Sequence, residues 1–394
     1  MRGNPSIMIN LIGDILPVLS VLCDTVASNS TRQFTARYEQ IGDDALWNEA
    51  KKNLVAPIVG HALLNVFNSD EIPGHWLDSH SQNYNKICSY LKELDRIAGI
   101  LSSEGIPIIV LKNGGIARAM HPCPGCVPMG DLDAIVRRSD FKRAHRVLTE
   151  NGYTISAPNE LEKADVDHGY RTGGSEYNTR LPEGRSLWFE LQWRPIAGKW
   201  LRPDQEPRVD ELMERSASVS GSSVRILSPE DNLIQVALHT AKHSYVRAPG
   251  FRLHLDVDRI VNYQHIDWDV FLKRVLFLQI KVPVFFSLLI PKIIFGTPVP
   301  NEIIESIKPP NWKEKLIGYW LNRAGIFNPH ESKFGKVEYI LFAGLLYDDL
   351  LGLLKGVFPG SSWMKDRYEF KSNFLLPYYH FKRISDLVFK RMPT

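Results

Sequence analysis

The chain has 394 residues, 44% of them apolar and 23% charged, with a formal net charge of +3. That length holds two or three domains and a sizeable core, and the composition is that of an ordinary globular protein. So small a net charge excludes a molecule-wide field for DNA or RNA and leaves at most a local basic patch.

Residues 7–27 are fairly apolar but are interrupted by Asp14, Pro17 and Asp24, which reads as a core helix pair rather than a signal peptide. Up to residue 104 the pattern is helical. Tyr84, Ile87, Leu91, Leu94, Ile97 and Leu101 recur in steps of three and four, on one helix face, and Gly105 stops that helix as a C-terminal glycine does. Residues 68–74 form a polar loop.

From Ile106 the pattern changes. Residues 106–111 are a short continuous run rich in β-branched side chains, a buried strand. Gly114-Gly115 is expected to make a turn into a brief helix over 115–120. Residues 132–136 are a second buried strand. Ser139 is expected to cap a helix to Glu150 whose inner face is Phe141, Ala144, Val147 and Leu148. Strands are then expected at 153–156, 166–171 and 186–193, the last two joined by a polar segment. This α+β module covers residues 105–200, between a helical region at 1–104 and another at 201–394.

The C-terminal region opens with Ser228-Pro229-Glu230-Asp231, a strong helix start that runs to about His243. Helices follow at 253–263 and 267–278. The apolar run at 282–295 is cut by Pro283, Pro291 and Lys292 and is too short for a bilayer, which needs about 20 apolar residues. The basic, aromatic residues 378–391 are read as a helix packed on its own protein, so membrane association is not expected.

The chemistry concentrates in residues 108–136. Asp131 and Asp133 stand at i and i+2 on a strand and so point to one side. Their mutual repulsion is relieved by a divalent cation, and hard oxygen ligands suit magnesium. Amides at Gly114 and Gly115 can approach a phosphate closely, because no side chain intervenes and a helix N-terminus favours anions. Lys112, just before them, can reach a triphosphate or, as an equally open reading, form a salt bridge. Glu190, an acid inside an apolar strand, is the candidate third carboxylate of a two-metal site.

The order of strand, Gly-Gly, helix, Asp-x-Asp strand and later strand carboxylate resembles the polymerase-β-like nucleotidyltransferase module. Within that superfamily the sequence resembles the family of uncharacterised nucleotidyltransferases. Leu111-Lys112-Asn113-Gly114-Gly115 is similar to that family's LKG segment, with Asn113 as a departure. Residues 130–136, GDLDAIV, resemble its G-D-[IL]-D-L-L-V. Glu190-Leu191-Gln192-Trp193 resembles E-[IL]-H-W with Gln192 replacing the His. Residues 238–243 resemble its L-H-x-x-x-H helix, residues 252–260 its R-x-x-x-D-[IL]-x-R-[IL] segment, and 266–268 its I-D-W. A further departure is that Cys126 to Met129 stands where the family often has an Arg.

The resemblance implies an enzyme that moves a nucleoside monophosphate from a nucleoside triphosphate (ATP as the default) to a hydroxyl on a small-molecule, peptide or RNA acceptor. Asp131, Asp133 and Glu190 would hold two Mg²⁺ ions, and Gly114, Gly115 and Lys112 the phosphates. The rival readings are a catalytically silent nucleotide-binding protein of the same fold and a glycosyltransferase that uses Asp-x-Asp.

Four further features have plainer readings. His168, on an expected strand, could serve as a base. His239 and His243 share a helix face, and His239 could contact substrate, although a structural histidine is the default. Asp256 is expected to pair with Arg252 or Arg259. Cys123-Pro124-Gly125-Cys126 has the spacing of half a zinc site, but zinc needs four ligands. With no pair read as supplying the other two, the segment is expected to be a tight turn. The four cysteines (Cys23, Cys88, Cys123, Cys126) do not make a disulfide framework and fit a reducing, cytoplasmic setting.

Overall fold

A computed structural model describes residue 38 and residues 41–156, 165–196 and 200–389. The helix pair expected at 7–27, with Cys23, lies outside the described residues. The fold is α+β: a mixed sheet with helices against it, flanked by helical regions on both sides.

The first described helices are α1 (Asp43–Lys52), α2 (Ala56–Leu64) and α3 (Gly74–Ser103). In α3 the buried side chains include Ile87, Tyr90, Leu94, Ile97 and Leu101, again in steps of three and four. Tyr84, expected on that face, is exposed, because the buried stripe passes through Tyr90 instead. Gly105 follows the last turn with φ 71°, a left-handed position that glycine takes without a Cβ penalty.

Seven strands follow in chain order: β1 (Ile108–Leu111), β2 (Asp131–Ile135), β3 (Thr154–Ser156), β4 (Gly174–Arg180), β5 (Ser186–Gln192), β6 (Ala217–Ser218) and β7 (Val224–Ile226). Their order across the sheet is β3-β4-β5-β2-β1-β7-β6. The apolar strands β1 and β2 sit in the middle. The polar β3 and the two-residue β6 take the edges, where unpaired backbone can meet water. One face of β1 and β2, with Ile108, Val110, Leu132 and Ala134, belongs to the main core. Ile109, Leu111 and Ile135 on the other face are covered by Leu212 and Met213 of α7 (Val209–Arg215) and by Leu227.

Between the strands lie α4 (Lys112–Ala119), α5 (Phe141–Glu150) and α6 (Val166–Thr172). After the sheet come α8 (Pro229–Lys242), α9 (Phe251–Tyr263), α10 (Trp268–Leu278) and α11 (Lys281–Phe295). Helices α8, α9 and α11 pack on one another, and α4 touches both α8 and α9. Helix α11 is the apolar run with two prolines, and its first half is buried. Among the described residues no helix is long and apolar enough to cross a membrane.

Several local expectations change. Residues 166–171 form α6, not a strand; Asp165 caps it by accepting from the Asp167 amide. The polar segment after it is β4, whose inward alternation rests on Ser175, Tyr177 and Thr179 and so carries one large apolar residue. Ser139 sits in a short 3-10 turn, and Asp140 is the residue that precedes α5. The sheet draws β6 and β7 from beyond residue 200, so it outruns the expected 105–200 module. Gly114 and Gly115 are not a turn but the third and fourth residues of α4. Their lack of a side chain also serves packing. A Cβ on Gly114 would stand 2.7 Å from Val110 Cγ2 and 3.2 Å from Leu132 Cδ2, and on Gly115 3.3 Å from the Val110 carbonyl oxygen.

That contact predicts the sign of a substitution. Gly114→Ala gains about 1 kcal/mol of helix propensity but forces a methyl into a stiff β-branched neighbour, which costs about 1–3 kcal/mol. The net outcome expected is a lower denaturant midpoint than wild type with an unchanged slope.

Candidate functional site

The register of the sheet assembles the site. Asp133 pairs with Leu111 of β1 on one side and with Glu190 of β5 on the other, and Glu190 pairs in turn with Glu176 of β4. Paired residues share a face, so Asp133, Glu190 and Glu176 form a row across three strands. Asp131, two residues before Asp133, faces the same way and stands opposite Trp188. Carboxylate oxygens of Asp131, Asp133 and Glu190 lie within 4.8 Å of one another. A pocket of about 350 Å³ opens over them, lined by Gly130, Asp131, Glu176, Trp188, Phe189, Glu190 and Arg252. Asp131 is exposed and lines the pocket, whereas Asp133 is buried behind that lining.

Lys112 answers the buried charge. Its Nζ lies 2.6 Å from Asp133 Oδ1 and 3.8 Å from Glu190 Oε2. Its backbone has φ 52°, a left-handed conformation uncommon for a residue with a side chain, where β1 gives way to α4. Gln192 adds a bond from Nε2 to Asp133 Oδ1, 3.2 Å. Gln192, which stands where the sequence resemblance led to the expectation of a His, thus puts an amide donor on Asp133.

Burial pushes the Asp133 carboxyl well above the ordinary carboxylate range; Glu190 and Asp131 add to this and Lys112 opposes it. Burial also acts to raise Glu190, but Lys112 and a hydrogen bond from Asp133 hold it below its usual value. Burial works against a charged Lys112, and the attraction of Asp133 and Glu190 outweighs it, so Lys112 is held above its usual value. Lys112 is thus a buried cation between two carboxyls whose affinities for a proton are pushed in opposite directions. Glu176 is raised by burial and by Glu190.

The loop that delivers Asp131 is held from outside the sheet. Arg252 Nη1 donates to the Pro128 carbonyl at 2.7 Å, Arg259 Nη2 to the Cys126 carbonyl at 2.6 Å, and Lys86 Nζ to the Met129 carbonyl at 2.7 Å. Asp256 lies between the two arginines on α9, four residues after one and three before the other. It takes a bond from Asn113 at 2.7 Å once that amide is turned nitrogen-first, the orientation its neighbours demand. The unusual Asn113 therefore ties the start of α4 to α9. Arg252 also lines the pocket, although the loop itself carries no Arg before Asp131.

Of the residues singled out in the sequence, Asp131, Asp133, Glu190 and Lys112 converge, and Gly114 and Gly115 lie in the first turn of the adjoining α4. Gly114 is among the first-turn amides with no partner inside the helix, whereas the amide of Gly115 is where the helical ladder begins. His239, in the last turn of α8, is half-buried and is driven well below its usual pKa by burial, then by Lys112 and His243. The two histidine rings meet edge to face, 4.7 Å apart. His168 sits on α6 and is not among the residues lining the pocket. Sequence reading passed over Glu176, and gave Arg252 only a pairing with Asp256 and no place at the site. Glu176 was legible only through the weak alternation of β4, and Arg252 through its four-residue spacing to Asp256.

The family model for uncharacterised nucleotidyltransferases matches residues 39–296. The chain belongs to that family. The match takes in α3, the whole sheet and helices α8 to α11, so the clamp of α9 on the Asp131 loop falls inside the family region. No curated protein matches the chain.

The environment of Asp256 carries a pH signature. Burial, against the pull of Arg252 and Arg259, the bond from Asn113 and the charge of Lys112, raises its carboxyl from 3.8 to about 6. Between those values the folded protein binds a proton that the unfolded chain has lost. The contribution to stability is therefore full below the unfolded value and is lost as pH rises through the folded one. Its size is on the order of 3 kcal/mol. In Asp256→Asn, denaturant midpoints measured from pH 4 to 6.5 are expected to fall less steeply with pH than in wild type. An equal slope in both proteins would contradict the assignment.

Proposed function

We propose that the protein transfers a nucleoside monophosphate from a nucleoside triphosphate, with ATP the default donor, to a hydroxyl acceptor. The observation that carries this reading is the register of β2 on β5, which brings carboxylate oxygens of Asp131, Asp133 and Glu190 within 4.8 Å of one another, with Asp131 and Glu190 lining a pocket. Family membership supports the reaction class. The donor set is three carboxylates, the hard oxygen chemistry that suits magnesium, and these are the residues that would hold two ions. When bound, the ions would supply charge stabilisation for the attacking and leaving oxygens.

The chain's own groups account for the remainder. The Gly114 amide and the Lys112 ammonium, at the start of α4, meet the β- and γ-phosphates. Arg252, a fixed cation on the pocket wall, faces the same charge. Trp188, half-exposed on the rim, offers a flat apolar surface to a base or to the acceptor. Glu190, held ionised beside Lys112, accepts the proton of the acceptor hydroxyl. That oxygen bonds to the α-phosphorus, the bond from the α-phosphorus to its bridging oxygen breaks, and pyrophosphate carries the electron pair away. The orientation of the triphosphate and the exclusion of water lower the barrier further.

The test uses each α-labelled nucleoside triphosphate with Mg²⁺ and a cell metabolite extract. Label is expected in a new species, with at least about a hundredfold loss in Asp131→Ala and in Asp133→Ala. Tight binding of the magnesium triphosphate without transfer would favour the silent, regulatory member instead. Transfer that survives both substitutions would refute the mechanism.

A further inference from the structure

The Cys123-x-x-Cys126 turn acquires two partners that its sequence neighbourhood does not contain. His61 of α2 and His80 of α3 stand beside it, and one ligand atom from each of the four residues lies within 4.8 Å of the others. The edges of a zinc tetrahedron, built from bonds of about 2.0–2.3 Å, are roughly 3.3–3.8 Å. The four atoms thus need an adjustment of about 1.5 Å or less.

Three independent details fit a ligand cluster. His80 Nδ1 lies 3.1 Å from the Pro57 carbonyl oxygen, which can only accept, so that nitrogen carries the hydrogen. Its Nε2 is then a bare lone pair, and it points at Cys123 Sγ from 3.7 Å. A hydrogen-bonded far nitrogen is how ligating imidazoles are oriented. Glycine at 125 is required by the same closeness: a Cβ there would stand 2.6 Å from His80 Cε1. Glycine at 60 is required too, because a Cβ would stand 2.5 Å from the Trp76 carbonyl oxygen. That contact brings α2 onto α3 and sets the rings of His61 and His80 4.9 Å apart, nearly parallel. Both cysteines are free, and Cys126 is buried.

We propose that His61, His80, Cys123 and Cys126 bind one structural zinc ion that ties α2 and α3 to the loop leading into Asp131. Two thiolates and two imidazoles are a tetrahedral zinc set, and with four protein ligands no position stays open for catalysis. The tight turn expected here is present, as a 3-10 turn over Pro124–Cys126, and the proposal adds a metal to it. The missing ligands come from residues 43 and more positions away, on two different helices. The ion would hold the side chains of a loop whose backbone is already held by Arg252, Arg259 and Lys86, and by Asn83, which donates to the Gly125 carbonyl at 2.8 Å. It is separate from the carboxylate group and does not depend on the nucleotidyl-transfer reading.

The full chain, purified without chelator and dialysed against metal-free buffer, is expected to retain about one zinc per molecule by elemental analysis. Asp131→Asn/Asp133→Asn should retain it, and Cys123→Ser/Cys126→Ser should lose it. Exchange of wild type into Co²⁺ should give the intense visible bands of tetrahedral cobalt together with thiolate charge transfer in the near ultraviolet. That readout stands even if the cysteine variant fails to fold. Thiol titration should find Cys123 and Cys126 protected until a chelator is added. Three results would each overturn the proposal: negligible zinc with both thiols freely reactive, a Cys123–Cys126 disulfide in the isolated protein, or zinc that follows the aspartates rather than the cysteines.

Discussion

The ion pair between Lys112 and Asp133 makes the rest of the site possible. A row of carboxylates on neighbouring strands is strongly self-repelling, and burial of Asp133 deepens the cost. A cation at 2.6 Å offsets part of it and leaves Glu190 able to remain charged. The pair also constrains the backbone. Lys112 holds a left-handed φ where β1 becomes α4, so a residue with a long side chain occupies a conformation usually left to glycine. Strain of this kind persists where surrounding contacts over-determine it. Here those contacts are Asp133, Glu190 and the packing of Gly114 on Val110 and Leu132.

A second layer keeps the first in place. Asp131 ends a loop with little regular structure, and a carboxylate on an untethered loop would not hold its position. Helix α9 supplies the tether with Arg252 and Arg259, each donating to a loop carbonyl, while Asp256 balances their charge and takes the Asn113 bond. One face of one helix thus secures both the strand that brings the aspartates and the helix that brings the glycines. The helical region after residue 200 is part of the site's construction as well as its flank.

Much of this was legible from local pattern. Strands β1, β2 and β5 show as continuous or acid-interrupted apolar runs, and α3, α8 and α9 show by helical spacing and by the Ser228 start. Strand β4 was hidden because only Tyr177 among its inward residues is large and apolar, and β7 because three residues with a central Arg225 carry no period. Residues 166–171 misled because Val166 and Tyr170 read as strand formers, whereas the Asp165 cap and the break at Gly173 decide for a helix. Gly114-Gly115 read as a turn because glycine is usually selected for backbone freedom. Here it is selected for the closeness of a helix to a strand, which no local window contains.

By itself the sequence determined the chemistry available: two aspartates one strand-period apart, a lysine and glycines after a buried strand, and a carboxylate in a later strand. These follow from spacing, because a strand repeats every two residues and a helix every 3.6. Tertiary structure alone decided which of these groups meet. The pairing of Asp133 with Glu190, the reach of Arg252 into the pocket, and the convergence of His61 and His80 on Cys123 and Cys126 all join residues tens of positions apart. Their meeting is set by sheet register and by helix packing, physical consequences of burying the whole core.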